Sequence, residues 1–495
     1  MTEPGGELLR LAATVLQPGF VGTTPPDWVR RWLGEGLGGV ALFARNVRDP
    51  QQVAALTAAL RAERADVLVA VDEEAGDVTR FESRTGSSRP GNLALGAVDD
   101  VALTQEVAHD LGRELAAAGV NLDYAPDADV NNNPDNPVIG VRSFGADPAL
   151  VARHTAAWIA GLQAAGVAAC AKHFPGHGDT AVDSHHDLPR IPRDRAGLDA
   201  VELLPFRAAI AAGVQAVMTG HLLVPAIDPT LPATLSRSVL TGLLRDELGF
   251  EGAVITDGME MRGLVDQFGF ETAVVAALAA GADAICVGGD NADEATAERL
   301  RAAIAGAVVS GQLAEDRLVE AAKRVEHLAA WAATARAASA PGAWHGASGS
   351  PVGLAAARRA VKVGGSSPSL PLAGPPHVIE LSPPANMAAG TDTPWGLAAP
   401  LAALLPGTTT VRLTESDAAD GSILAAAGRP LVLVVRDLHR HAWMSTLVAS
   451  ALSTRPDAVV VELGVPAAIV GATHIATYGA TRSSGLAAAE LLAGA

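Results

Sequence analysis

The segment from Lys172 to Pro189, KHFPGHGDTAVDSHHDLP, places Lys172, His173, His177, Asp179, Asp183, His185, His186 and Asp187 within eighteen residues. Pro175, Gly176 and Gly178 prevent a helix at its start, so these groups stand on a loop. Two chemistries suit such a loop. Metal ligation is the first, since His173, His177, His185 and the aspartates are all potential ligands. The spacing does not follow a helical His-Glu-x-x-His pattern, however, and Pro175-Gly176 interrupts the first two histidines. No metal and no other cofactor is expected. Acid/base chemistry is the second. Asp183 and His185 are two residues apart, so in an extended segment they face the same side. The carboxylate then orients the imidazole and favours its charged form. His186 and Asp187 read as solvated neighbours.

The elements that must position this loop are legible as short apolar runs alternating with Ala/Leu-rich helical stretches. The runs begin at Thr14, Gly38, Asp66, Gly119, Gly166, Ala216, Gly252 and Ala284. Amphipathic segments such as TQEVAHDLGRELAAAG and SRSVLTGLLRDELG lie between them. Strands alternating with helices imply right-handed βαβ units and a parallel sheet, and a count of eight predicts a (β/α)8 barrel. In that fold the active site lies at the carboxyl ends of the strands. Arg45 and Asn46 follow the second run, Asp72 and Arg80 the third, and Asp123, Asp129 and Arg142 the fourth. Lys172 and His173 follow the fifth, His221 the sixth and Asp257 the seventh. Taken singly, Asp72 and Asp257 are also ordinary helix-capping or turn residues, and Arg80, Arg142 and Lys172 ordinary surface charges. Their convergence on one rim predicts a polar pocket for a ligand rich in hydroxyls.

The barrel is expected over residues 1–335, a Pro/Gly/Ser-rich linker over 336–375, and a smaller α/β sandwich over 376–495. The tail contains no Gly-rich phosphate loop. Charged residues make up 18% of the 495-residue chain, and the formal net charge is −18 without a basic run. That composition argues against nucleic acid and anionic membranes as partners. The N-terminus has neither a basic start nor an apolar core, and no apolar stretch approaches membrane-spanning length, so a cytoplasmic location is expected. Cys170 and Cys286 sit in apolar runs and read as small buried hydrophobes. The oligomeric state is not legible.

With these residues in view, KHFPGHGDTAVDSHHDLP resembles the signature loop of glycoside hydrolase family 3, in its β-N-acetylglucosaminidase branch. The resemblance extends through GGVALFARN, VDEEAGDVTRF, GVNLDYAPDADVNNNPDNPVIGVRSFG, MTGHLLVPAIDPTLPATLS and LLRDELGFEGAVITDGMEM, covering roughly residues 8–330. The tail is similar to the sandwich of two-domain members. The resemblance implies Asp257 as catalytic nucleophile and His185, paired with Asp183, as acid/base. It implies Asp72, Arg80, Arg142, Lys172, His173 and His221 as sugar-binding residues. Two departures stand out. Glu73-Glu74-Ala75-Gly76 replaces the common Gln-Glu-Gly-Gly, and Gly258 occupies a position often held by Asp or Ala.

The expected activity is that of a retaining exo-β-N-acetylglucosaminidase acting on small peptidoglycan- or chitin-derived fragments, in a recycling role. A phosphorylase using the same residues and a β-glucosidase of the same family are the related alternatives. A Schiff-base aldolase built on Lys172, or a sugar sensor without turnover, would be the unrelated ones.

Overall fold

The computed structural model describes residues 5–180, 188–289, 291–339, 345–384, 388, 390, 393–417, 426 and 428–495. Asp183 and His185 therefore lie outside the described residues. The chain packs as two compact units. One comprises Met1–Glu73, Thr104–Pro137 and Ala146–Trp344, and the other Glu74–Leu103, Val138–Gly145 and His345–Ala495.

The first unit is built on eight strands, one in each predicted run: β1 (Leu16–Pro18), β2 (Gly39–Leu42), β3 (Leu68–Val71), β4 (Leu122–Asp123), β5 (Ala168–Phe174), β6 (Ala216–Thr219), β7 (Ala253–Thr256) and β8 (Ile285–Val287). Strands β2 to β7 form one parallel sheet in chain order, and β1 pairs in parallel with β8. An isolated parallel bridge between Ile255 and Ala284 joins β7 to β8, and Gly38 N donates to Ala13 O at 3.4 Å beside β1 and β2. The result is the (β/α)8 barrel.

These strands are buried throughout and mostly apolar, as parallel strands covered on two sides must be. Residues two apart on a strand share a face, and Leu68/Ala70, Ala168/Cys170, Ala216/Met218 and Ala253/Ile255 all join one buried cluster. Val325, Leu328, Ala329 and Ala332 of helix Glu315–Ala338 belong to the same cluster. The interior is therefore a packed core rather than a channel. Cys170 and Cys286 are buried within it and form no disulfide. Burial pushes both thiols well above their usual range.

Asp49-Pro50 and Asp147-Pro148 start two of the barrel's helices. Asp49 accepts from Gln52 N, and Asp147 from Ala149 N and Leu150 N, while proline takes the first helical turn, where its missing N–H costs nothing. The segment Ser238–Glu247, read as an ordinary amphipathic helix, is wound more widely, with Leu248 N bonding Leu243 O at 2.9 Å.

The second unit carries a six-stranded sheet formed by β9 (Lys362–Gly364), β10 (His377–Leu381), β11 (Thr409–Leu413), β12 (Leu431–Val435), β13 (Val459–Glu462) and β14 (Thr473–Ala476). Its order is β9-β14-β13-β12-β10-β11, with only β9 antiparallel to its neighbour. Alternate residues go to opposite faces. Val432, Val434, Val459 and Val461 pack with Leu401 and Leu492, whereas Leu431, Leu433, Val435 and Val460 pack with Met444 and Val448. This is the predicted α/β sandwich. The stretch 336–375, read as a linker, contains helix Pro351–Ala360 and strand β9. Among the described residues no single helix is long and apolar enough to cross a membrane.

Candidate active site

The carboxyl ends of several barrel strands bring charged groups together, because β3, β4, β5 and β7 end in or run directly into polar residues that the core cannot accept. Asp72 immediately follows β3, and Lys172 lies near the end of β5. Lys172 is only 2% exposed, and its Nζ forms a direct ion pair with Asp72 Oδ1. A buried ammonium needs such a partner. Asp123 at the end of β4 is fully buried, and its Oδ1 accepts from Glu73 N at 3.0 Å. Burial pushes its carboxyl well above the usual carboxylate range despite that bond. The rim thus sets the Lys172-paired Asp72 near a fully buried carboxyl whose burial disfavours its charged form.

The pairing of β5 with β6 shifts register between Ala171 and Phe174. That break interrupts strict alternation where Lys172 and His173 stand, and both side chains reach carboxylates. His173 Nδ1 lies 2.7 Å from Asp129 Oδ2. Asp129 Oδ1 accepts from His173 N at 3.2 Å and from His177 N at 2.7 Å. Burial opposes ionisation of Asp129, but the His173 imidazole and these N–H donors outweigh it and hold the carboxyl below its ordinary value. His177 continues the chain of contacts through Thr180 Oγ1 at 2.9 Å. Asn136 Nδ2 donates to the carbonyls of His177 and Gly178 at 2.9 and 3.0 Å. The start of the histidine-rich loop is thereby fixed on the scaffold.

Asp127, Asp129 and His173 also place potential ligand atoms within 4.8 Å of one another. The donor set fits a divalent ion poorly, because both oxygens of Asp129 already receive protein N–H groups. The cluster works as a hydrogen-bonded brace.

Asp257 follows β7 directly. Its backbone N donates to Thr219 O at 3.2 Å, and its Oδ1 accepts from Gly258 N at 2.8 Å. His221 is fully buried, and its Nε2 lies 3.0 Å from Gly258 O. A carbonyl opposite Nε2 fixes the proton on that nitrogen, leaving Nδ1 to Thr234 Oγ1 at 2.8 Å. His221 thus braces the peptide next to Asp257. A Cβ added at Gly258 would meet Glu260 Oε2 at 3.5 Å, an ordinary contact, so space alone does not require glycine there.

Arg80 and Arg142 belong to the second unit. Both terminal nitrogens of Arg80 donate to Ala388 O at 3.2 Å. Arg142 grips Glu74 in a buried bidentate pair, Nε to Oε2 at 2.9 Å and Nη2 to Oε1 at 2.7 Å. Glu74 stands where the common motif also has Glu, so this pair lies beside the departures at Glu73 and Ala75 and not on them. The structure thus brings Asp72, Lys172, His173, His221 and Asp257 to the strand ends of the barrel unit, and describes Arg80 and Arg142 in the other. Sequence reasoning gave no part to Glu260, weighed His177 only as a potential metal ligand or substitute acid/base, and left Asp129 among the rim charges without a role. The signal for Asp129 was its place two residues after Asp127 on an extended segment.

Eight parallel strands carrying carboxylates, a lysine and histidines at their carboxyl ends define an enzyme barrel. The family model described as "Glycosyl hydrolase family 3 N terminal domain" matches residues 17–328. The chain belongs to glycosyl hydrolase family 3, and with it to the glycoside hydrolases. It is 36% identical over 331 residues to a β-hexosaminidase A of Pseudoalteromonas piscicida, covering 62% of this chain but only 55% of that protein. A β-hexosaminidase of Alkalilimnicola ehrlichii is 42% identical over 255 residues, 50% of this chain and 73% of that one. Among solved structures, a family 3 β-N-acetylglucosaminidase from Paenibacillus sp. str. FPU-7 superposes with a TM-score of 0.87 at 35% identity, covering 98% of this chain and 96% of that one.

Proposed function

We propose that the chain is a retaining exo-β-N-acetylglucosaminidase that removes terminal β-linked N-acetylglucosamine from small peptidoglycan- or chitin-derived fragments. The observation that carries this reading is Asp257, held by its neighbours' backbone at the end of β7, on the barrel rim that also holds the Lys172–Asp72 pair. The β-hexosaminidase relatives and the Paenibacillus enzyme support the choice of sugar.

In this reading the Asp257 carboxylate attacks the anomeric carbon, and the glycosidic C–O bond breaks as His185 gives its proton to the leaving oxygen. A glycosyl ester on Asp257 results. His185, oriented by Asp183, then takes a proton from water, whose oxygen attacks the same carbon and releases Asp257. Two inversions give net retention. Lys172, His173 and Asp72 hold hydroxyls of the bound sugar. Rates of hydrolysis of nitrophenyl β-N-acetylglucosaminide and of the matching glucoside, with the first-formed anomer read by NMR, test the proposal. A preference for the glucoside or an α-anomer as first product would overturn it, as would full activity in a folded Asp257→Ala variant.

A further inference from the structure

The four residues Asp257-Gly258-Met259-Glu260 are tied down one after another. Asp257 N bonds Thr219 O on β6, Gly258 O meets His221, and Met259 N donates to Cys286 O on β8 at 3.1 Å. The last tie is a side chain. Glu260 Oε1 accepts from Gly288 N at 2.8 Å and also from Gly289 N, just beyond β8. Arg45 holds the carbonyls of the same two glycines, donating to Gly289 O at 2.6 Å and to Gly288 O, and its Nε anchors to Phe20 O at 3.1 Å.

The Gly288-Gly289 pair is thus gripped through its N–H groups by an acid and through its C=O groups by a base. The fit leaves no room for side chains. A Cβ at Gly288 would collide with the backbone of Gly19, and one at Gly289 would lie 2.9 Å from Glu260 Oε1. Glu260 Oε2 is buried and accepts no hydrogen bond among the described residues. Burial, and after it the nearby Asp257, push this carboxyl above its ordinary value against the pull of the Gly288 and Gly289 N–H groups.

We propose that Glu260 is a positioning residue for the reaction: by holding Gly288 and Gly289 it fixes the Asp257 loop against β8 and sets where the attacking carboxylate stands. The inference rests on Asp257 as nucleophile. A plain structural role would lower stability and leave the kinetics of the folded fraction intact. A positioning role lowers kcat and leaves KM alone, because the sugar is bound elsewhere on the rim.

The test compares full-length Glu260→Gln, Glu260→Asp and Glu260→Ala. Glutamine keeps an acceptor oxygen at the same reach and should retain turnover close to wild type. Aspartate is one methylene too short to meet both N–H groups with the loop in place. It should lose kcat by about 10²-fold with KM unchanged, as a misplacement near 1 Å does. Alanine should behave as aspartate does, and if it fails to fold the aspartate variant decides. A slow activated fluoro-glycoside, with the labelled peptide identified by mass spectrometry, separates the two assignments. Label on a residue other than Asp257 in the wild type removes the nucleophile and this proposal with it. Label on Asp257 at the wild-type rate in Glu260→Asp leaves the nucleophile standing and overturns the role of Glu260.

Discussion

Asp129 Oδ2 stands 2.7 Å from His173 Nδ1, while the other oxygen of the same carboxylate takes the backbone N–H groups of His173 and His177. One fully buried aspartate therefore fixes both the ring at the end of β5 and the first turn of the loop beyond it. Removing one partner of such a pair costs about 3–5 kcal/mol, and Asp129→Ala is expected to lose that much in urea unfolding. The pH dependence follows from the direction of the shift. The Asp129 carboxyl lies below its ordinary value of 3.8 in the folded chain. Its stabilisation is therefore complete above that value and is lost as the pH falls through the lower, folded value. Asp129→Asn should show a shallower loss of stability on that acid side than the wild type. Equal acid slopes for the two proteins would contradict the assignment.

The same hydrogen bonds bear on metals. Both Asp129 oxygens are already engaged by protein nitrogens, so in the Asp127, Asp129 and His173 cluster Asp129 is poorly free to bind an ion. Hydrolysis of a nitrophenyl glycoside is expected to be unchanged after exhaustive chelation. Loss of rate on chelation with recovery on adding zinc would contradict this.

Lys172 and Asp72 should behave as a unit. Lys172→Met leaves Asp72 beside Asp123 and Glu73 with its buried cation gone, and Asp72→Asn leaves a buried ammonium without its anion. Each single variant is expected to lower kcat/KM by about 2–5 kcal/mol in transition-state terms. The double variant should lose far less than the sum, because the second change removes a group that the first has stranded. Steady-state kinetics of the four proteins measures the coupling, and strict additivity would show that the two act separately.

Much of the barrel was legible because its strands are short, mostly apolar and in several cases followed at once by a polar rim residue. GVALF, VLVAV and AVITD each end where the core can no longer accept a side chain. Asp257 and Asp72 stood out by that rule, each directly after such a run, and the family resemblance supplied their roles. Partner choice was not legible. Arg142 pairs with Glu74 across 68 residues of chain, and nothing in either segment names the other. His221 looked like a group for substrate because it ends a strand, yet full burial turns it to a backbone carbonyl. Glu260 was invisible for a similar reason, since its partners are two backbone N–H groups with no sequence signature. The packing of Glu74–Leu103 and Val138–Gly145 with the second unit is equally hidden, because order along the chain says little about which loops a later domain gathers.

The last prediction concerns His185, which lies with Asp183 outside the described residues. The loop enters that region from a fixed base, with Asn136 holding the carbonyls of His177 and Gly178, and Asn133 Nδ2 donating to Thr180 O at 3.1 Å. If His185 is the acid/base, its removal should hurt substrates with poor leaving groups most, by about 10²–10⁴-fold, because these need a proton in the first step. A nitrophenolate departs with little help, so His185→Gly should still form the glycosyl-enzyme from a nitrophenyl substrate. The second step then lacks a base, and the intermediate should accumulate. Azide needs no deprotonation, so it should attack the intermediate, restore turnover and yield a β-glycosyl azide detectable by mass spectrometry and NMR. Asp183→Ala should show a milder form of the same defect, since it orients the imidazole without exchanging the proton. Equal losses for good and poor leaving groups, with no azide product, would assign His185 to shaping the loop and move the acid/base to His177, Asp179 or His186.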